Sequence, residues 1–316
     1  MSDALLSRIA ETLYWTGRYV ERADDTARML DVYVHYMLED PDADEDADCR
    51  AMMAILGVPA PDDSIMDISM ALAKLAYDPK NPSAIAGAIL AARAGVRSVR
   101  DVVSSEMWEC LNVTSLGLTA QRRSADRLGP HVYFRFVRER AALFFGLSES
   151  TMSHDDAWRF LMLGRSLERV DMTARLLLAR MSGTRHQLGW ITVLHACGAH
   201  ESFIRTHGWA SEPSSVGEFL MLDRLFPRSV LAALTSAEEA LRALDPGDAD
   251  RSGTGDPARR EIGQLRTRLE YADPGRIETD LPELIESLQV GCRQANEAIT
   301  KRYFAYSAPV AWAQEG

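Results

Sequence analysis

Near its start the chain reads Tyr14-Trp15-Thr16-Gly17-Arg18-Tyr19-Val20-Glu21-Arg22-Ala23-Asp24-Asp25-Thr26-Ala27-Arg28-Met29-Leu30, and at 161–177 the phrase returns as Leu-Met-Leu-Gly-Arg-Ser-Leu-Glu-Arg-Val-Asp-Met-Thr-Ala-Arg-Leu-Leu. The shared residues are Gly17/Gly164, Arg18/Arg165, Glu21/Glu168, Arg22/Arg169, Asp24/Asp171, Thr26/Thr173, Ala27/Ala174, Arg28/Arg175 and Leu30/Leu177. Apolar partners drift (Tyr19/Ser166, Val20/Leu167, Ala23/Val170), whereas the matched charges hold. A solvated face tolerates almost any polar residue, so this retained charged set reads as one the protein is built to hold.

The first copy lies in a proline-free stretch from Ser2 to about Leu38. At ~100° per residue, Tyr19, Val20, Ala23, Ala27, Leu30 and Val34 share one arc and Arg18, Glu21, Arg22, Asp24 and Arg28 fill the opposite one. This predicts a long helix with a charged stripe. A mid-helix glycine costs about 1 kcal/mol relative to alanine, so its recurrence at Gly17 and Gly164 predicts another backbone passing close by. Exposed i,i+4 pairs along one helix contribute roughly 0.3–0.5 kcal/mol each, too little to explain the retained pattern; a buried network does.

A second match follows at nearly the same offset. Leu75-Ala-Tyr-Asp78-Pro-Lys-Asn-Pro82-Ser-Ala-Ile85 corresponds to Leu220-Met-Leu-Asp223-Arg224-Leu-Phe-Pro227-Arg228-Ser-Val230. In both, a helix is predicted to end near the aspartate and restart at the proline. The expected fold is therefore all-α: one domain over 1–316, a helical bundle of two tandem pseudo-repeats (about 2–101 and 152–246) plus C-terminal helices, with internal halves 1–146 and 147–316.

Between these landmarks, helices are predicted at 47–57, 64–77, 83–111, from Pro130 to a Gly146 cap, 153–181, 258–272 and 282–304, with 113–128 mixed and 183–218 read as helical pieces broken by glycines, the least regular part of the second half. Asp245 to Pro257 reads as a loop, and the tail from Ser307 as frayed or docked through Val310 and Trp312. The acidic run Glu39–Asp48 resembles a calcium loop only superficially. Counted from Asp42, positions six and twelve are Ala47 and Met53, where glycine and glutamate are required. It reads as a solvated turn.

Composition narrows the function. A net charge of −11 and a pI near 5.2 argue against nucleic acid as a partner. Only Lys74, Lys80 and Lys301 among the 35 basic residues are lysine; arginine suits bidentate pairing with carboxylates. Four scattered cysteines, no leader pattern and no apolar run of membrane-spanning length predict a cytoplasmic protein without membrane contact. No phosphate-loop, nucleophile-elbow or dinucleotide motif is present, so no cofactor is expected. No Glu-x-x-His occurs in the repeated helix, and His195, Cys197, His200 and His207 lie in a glycine-broken region, so no metal site is expected. Trp108 and Trp158 follow helical spacing and read as core residues.

The phrase Leu13-Tyr14-Trp15-x-Gly17-Arg18-Tyr19-x-Glu21-Arg22-Ala23-x-x-Thr26-Ala27-Arg28-x-Leu30-Asp31 resembles the alpha-E domain family, a bacterial group of helical proteins named for a Glu-Arg motif. Ser104–Asn112 and Phe219–Val230 are similar to further motifs of that family. The resemblance implies genomic association with a circularly permuted ATP-grasp ligase-like protein and a transglutaminase-like protein. It also implies a role in peptide synthesis, modification or turnover. The expectation is a non-enzymatic helical partner or substrate-binding component of such a system, with a peptide as possible substrate. The alternative is an enzyme acting on a carboxylate or acyl-phosphate in amide-bond formation. The candidate binding residues are Gly17, Arg18, Glu21, Arg22, Asp24, Arg28, Gly164, Arg165, Glu168, Arg169, Asp171, Arg175, Asp223 and Arg224.

Overall fold

A computed structural model describes residues 3–39, 44–61, 64–181, 189–208, 213–245 and 255–304. Every regular element among them is helical. The proline-free N-terminal stretch forms α1 (Asp3–Glu39), the longest helix. Its Val20, Ala23, Ala27 and Leu30 are fully buried. Then come α2 (Glu45–Ile55), α3 (Ile68–Leu75), α4 (Ile85–Ser98), α5 (Ser105–Leu128) and α6 (His131–Thr151). The second copy of the phrase lies in α7 (Asp156–Met181). It is followed by α8 (Trp190–Ala196), α9 (His200–His207), α10 (Pro213–Leu222), α11 (Val230–Leu244), α12 (Pro257–Glu270), a 3-10 turn (Pro274–Arg276) and α13 (Ile277–Tyr303).

Side-chain caps set many of these boundaries. Asp44, Asp67, Ser104, Ser229 and Asp256 each accept from a backbone N–H in the first turn of the following helix, satisfying one of the orphan donors there. Asp155 does the same for α7, accepting from Ala157 N and Trp158 N.

Several local expectations are corrected. The stretch 83–111 is not one helix: α4 ends at Ser98, and Ser104 caps a new helix through Met107 N at 3.2 Å. The segment read as mixed, 113–128, is helical within α5. Gly146 caps nothing and sits inside α6, because the buried face of Ala141, Phe144 and Phe145 continues past it through Leu147 and Ser148. Pro282 lies inside α13, which starts earlier on the 3-10 turn capped by Asp273. The helical pieces expected within 183–218 are present as α8, α9 and α10. Of the acidic run, Asp46 is no solvated residue: it accepts from Met66 N at 2.6 Å and pairs with Arg50, while Asp48 is buried. Residues 40–43, most of the 245–257 loop and the tail from 307 lie outside the described residues.

α1 and α7 pack on each other along the middle of the molecule. α4 and α6 cover α1; α11 and α13 cover α7. One continuous cluster of buried apolar side chains runs from Ile9 to Phe304. The α1–α7 seam lies within it. That places both charged stripes between helices.

Candidate functional site

The seam is built around its two glycines. A Cβ at Gly17 would overlap the carbonyl oxygen of Leu161, and a Cβ at Gly164 would overlap that of Tyr14. Each helix thus lays its backbone on the glycine of the other. No side chain fits there.

This approach brings each glutamate within reach of arginines on the opposite helix. Arg18 Nε donates to Glu168 at 2.7 Å, and Arg22 donates through Nε at 2.6 Å and Nη2 at 3.1 Å. In return, Arg165 Nε donates to Glu21 at 3.1 Å and Arg169 Nε at 2.6 Å. Both glutamates are only 1% exposed. The ladder within one helix that the i,i+3 and i,i+4 spacing suggests forms only at Asp24–Arg28 and Asp171–Arg175. The arginines also tie down the helices beyond: Arg22 donates to the Pro82 carbonyl and Arg169 to the Pro227 carbonyl.

Burial alone would raise the glutamate pKa values, but the guanidiniums reverse that. Arg22 and Arg18 bring Glu168 down to about 2. Arg169, Arg228 and Arg165 hold Glu21 well below the carboxylate range. Both are fixed anions, held by charge-assisted hydrogen bonds.

The two ends of the seam differ. At the Glu21 end a further arginine enters from the segment before α11. Arg228 pairs with Glu21 at 3.0 Å, with Asp24 and with Asp25. It stands where the first matched segment has Ser83, and Asp25 stands where the second phrase has Met172. Each of these two buried charges meets an uncharged counterpart in the other copy, but so do Lys80 and Arg224, so that signal alone does not single them out. Of the candidates named from sequence, Asp223 and Arg224 lie outside the seam. Asp223 Oδ1 accepts from Leu225 N and Phe226 N, a turn-forming role. Arg224 is exposed and pairs with Glu270, away from the seam. Arg228, four residues on, is the one that reaches the site because the turn closes on Asp223 and Ser229.

At the Glu168 end the terminal nitrogens of two arginines find protein acceptors. Arg18 Nη1 donates to Tyr14 Oη and Asn296 Oδ1, each at 3.3 Å, and Arg175 Nη1 donates to the Ile55 carbonyl at 3.2 Å. At the Glu21 end there is instead a cavity of about 430 Å³ lined by Glu21, Asp24, Arg28, Arg165, Arg169 and Arg228 with Phe145 and Phe226.

Asp25 takes an unusual position. Burial, with Glu21 and Asp24 beside it, outweighs Arg228 and pushes its carboxyl up to about 7. Glu21, Asp24 and Asp25 offer oxygens within 4.8 Å of one another. The Arg228 guanidinium pairs with all three, so the arrangement fits an internal arginine. His195 stacks on His200 at 4.2 Å and His207 on Phe203 at 4.7 Å. Cys197 is buried with its thiol pushed up to about 12 by burial. Trp108 is half-buried and packs against the core's edge with Arg93 and Arg100 against its ring, whereas Trp158, also half-buried, stacks on His154 at 4.0 Å.

Fold and site together define a class: an all-helical protein whose two longest-matched helices are joined by reciprocal arginine–glutamate pairs. The model of the Alpha-E family, described as an alpha-helical domain with a conserved ER motif, matches residues 5–304. The chain belongs to that family. Glu21-Arg22 and Glu168-Arg169 are two such dipeptides. An uncharacterised protein of Mycobacterium bovis and one of Mycobacterium tuberculosis are each 24% identical over 331 residues, covering 94% of this chain and 37% of the relative. The chain thus spans little more than a third of the length of these relatives. No solved structure matches.

Proposed function

We propose that the protein is a non-enzymatic helical component of an ATP-grasp- and transglutaminase-associated peptide-modification system, serving as partner or substrate-binding subunit. The observation that carries this reading is the state of Glu21 and Glu168. Each is sealed in the seam and held ionised by arginines of the opposite helix. A general base works best with a pKa near the operating pH, and these carboxylates are displaced far to the acid side. That weighs against the alternative of an enzyme using glutamate as base on a carboxylate or acyl-phosphate. The same geometry supports reading the two halves as copies of one unit, since the glycine, glutamate, arginine and proline contacts recur with the roles of the helices exchanged. Asp25 does not line the cavity, and its Oδ1 accepts from Arg228.

The test is association. The purified chain and the ATP-grasp-like protein that the family resemblance implies as its genomic neighbour are mixed at micromolar concentrations and followed by size-exclusion chromatography with light scattering. A stable complex supports the reading. Clean separation of the two, in the presence and absence of nucleotide, sinks it.

A further inference from the structure

We infer that the cavity at the Glu21 end of the seam is a binding site for an oxyanion group, a carboxylate or a phosphate, with the rest of its ligand lying against Phe145 and Phe226. The inference deepens the proposed binding role and rests on it for biological context only.

The observations are of three kinds. The first is unused donors. Arg165 donates through Nε to Glu21, and Arg28 through Nε to Asp24. Among the described residues neither has a protein acceptor for its two terminal nitrogens. These nitrogens are not among the buried atoms lacking partners, so they are reached from the open side, and both arginines line the cavity. Arg169 adds a third, with Nε on Glu21, Nη1 on the Pro227 carbonyl and Nη2 uncommitted. Planar forks of this kind match carboxylate and phosphate oxygens bidentately.

The second is an internal comparison. The arginines at matching positions in the other copy, Arg18 and Arg175, each have one terminal nitrogen, Nη1, bound: by Tyr14 and Asn296 in one case and by the Ile55 carbonyl in the other. One end of the seam engages a terminal nitrogen of each arginine; the other engages neither nitrogen of Arg28 or Arg165 and turns them toward a space. In sequence the two ends match closely, so the difference comes from what packs over them. α13 supplies Asn296 at one end, while the other end is walled by Ala141, Ala142 and Phe145 of α6. Small apolar residues there leave room without offering acceptors.

The third is charge. Four guanidiniums (Arg28, Arg165, Arg169 and Arg228) meet three carboxylates, of which Asp25 is the most readily protonated. Burial, with the positive charges of Arg169 and Arg228 nearby, draws Arg165 down to about 10 despite its pair with Glu21. The guanidinium lies 3.9 Å over the Phe145 ring, a face that leaves its edge open for hydrogen bonding. An arriving anion relieves the like-charge crowding. The volume, about 430 Å³, lies in the range of small-molecule sites and exceeds what a bare phosphate fills, which calls for a ligand with an apolar or peptide portion.

The experiment titrates the full chain with sodium phosphate, sodium acetate and the dipeptide glycyl-glutamate, each against sodium chloride at equal ionic strength, by isothermal calorimetry and thermal shift. Saturable binding of at least one oxyanion is expected, with a rise in Tm beyond the chloride control. Phosphate against glycyl-glutamate separates the two ligand sources. R28Q tests the site with little risk to folding, since Arg28 pairs only within its own helix and is partly exposed. It should weaken binding by about ten-fold, and R165Q by about as much or more. R175Q, at the matching position of the other end, should bind as the unaltered chain does. Absence of saturable binding by all three probes overturns the inference, as does full retention of affinity in R28Q and R165Q. The result is independent of association with the ATP-grasp-like protein: a chain that binds the dipeptide but not that protein loses the proposed function and keeps the site, and the reverse outcome does the opposite.

Discussion

Glu21 and Glu168 illustrate why a charged residue on a helix cannot be read from that helix alone. Their i,i+3 and i,i+4 arginines are present, yet the hydrogen bonds run across the seam to the other helix. Removing one charge from such a buried network leaves the others uncompensated, at roughly 3–5 kcal/mol. Glu21→Gln and Glu168→Gln should each lower stability by that order in urea denaturation, and unchanged midpoints would show that the seam is not what holds the helices. The double-mutant cycle of Arg18→Gln with Glu168→Gln should return a coupling of about 1–3 kcal/mol, as residues in direct contact do. Gly17→Ala is a different kind of test. Its methyl meets the Leu161 carbonyl, which cannot turn aside as a side chain does. A loss of at least ~1–3 kcal/mol is expected from overpacking. At this scale the sequence was informative: two glycines kept at one place announced a close approach, because only the absence of Cβ explains a mid-helix residue with an intrinsic cost.

At the scale of elements, the helices themselves follow from spacing and caps, and the errors lie at their ends. Gly146 was read as a stop signal; α6 runs through it because a single glycine costs less than the burial of Ala141, Phe144 and Phe145 gains. A Cβ there would meet nothing within 4 Å. Gly146→Ala should therefore stabilise the protein by about 0.5–1 kcal/mol, read as a rise in Tm; a fall would mean that α6 does end there. The pair Arg224 and Arg228 makes the complementary point. Both sit in the short connection between α10 and α11, one exposed on Glu270 and one buried on three carboxylates. Arg224→Ala should change stability by less than about 1 kcal/mol, and Arg228→Ala by roughly 3–5 kcal/mol, both from denaturant midpoints. Sequence spacing did not separate them, since a turn of irregular backbone has no period from which to read a facing direction.

For the molecule as a whole, the buried carboxylates set how stability depends on pH. Glu168 is displaced downward from 4.5 to about 2, so its contribution is present above the unfolded value and is lost as pH falls from there toward 2. Asp25 is displaced upward from 3.8 to about 7, so the folded state holds its proton more tightly. That contribution is full below 3.8 and is lost as pH rises to 7. His195, displaced downward by burial and His200, has the opposite slope below 6.5, which makes a difference measurement necessary. Urea denaturation of the unaltered chain and of Asp25→Asn, compared at pH 4.5 and 7.5, isolates the term. The unaltered chain should lose about 1–3 kcal/mol more than the variant on going to the higher pH. Parallel pH profiles would mean that Asp25 titrates normally.

What the sequence determined by itself was the helical class, the family and the paired glycine–arginine–glutamate phrases, because periodicity, caps and repeated residues are local or countable properties. What only the tertiary structure decided was which partner each charge takes and where room is left over. Those depend on residues far apart in the chain, such as Asn296 over Arg18, Arg228 against Asp25, and the alanines of α6 beside Arg165. Hydrogen bonds and voids are set by packing geometry, and two helical phrases that share their glycine, glutamate and arginines acquire different chemistry when different helices cover them.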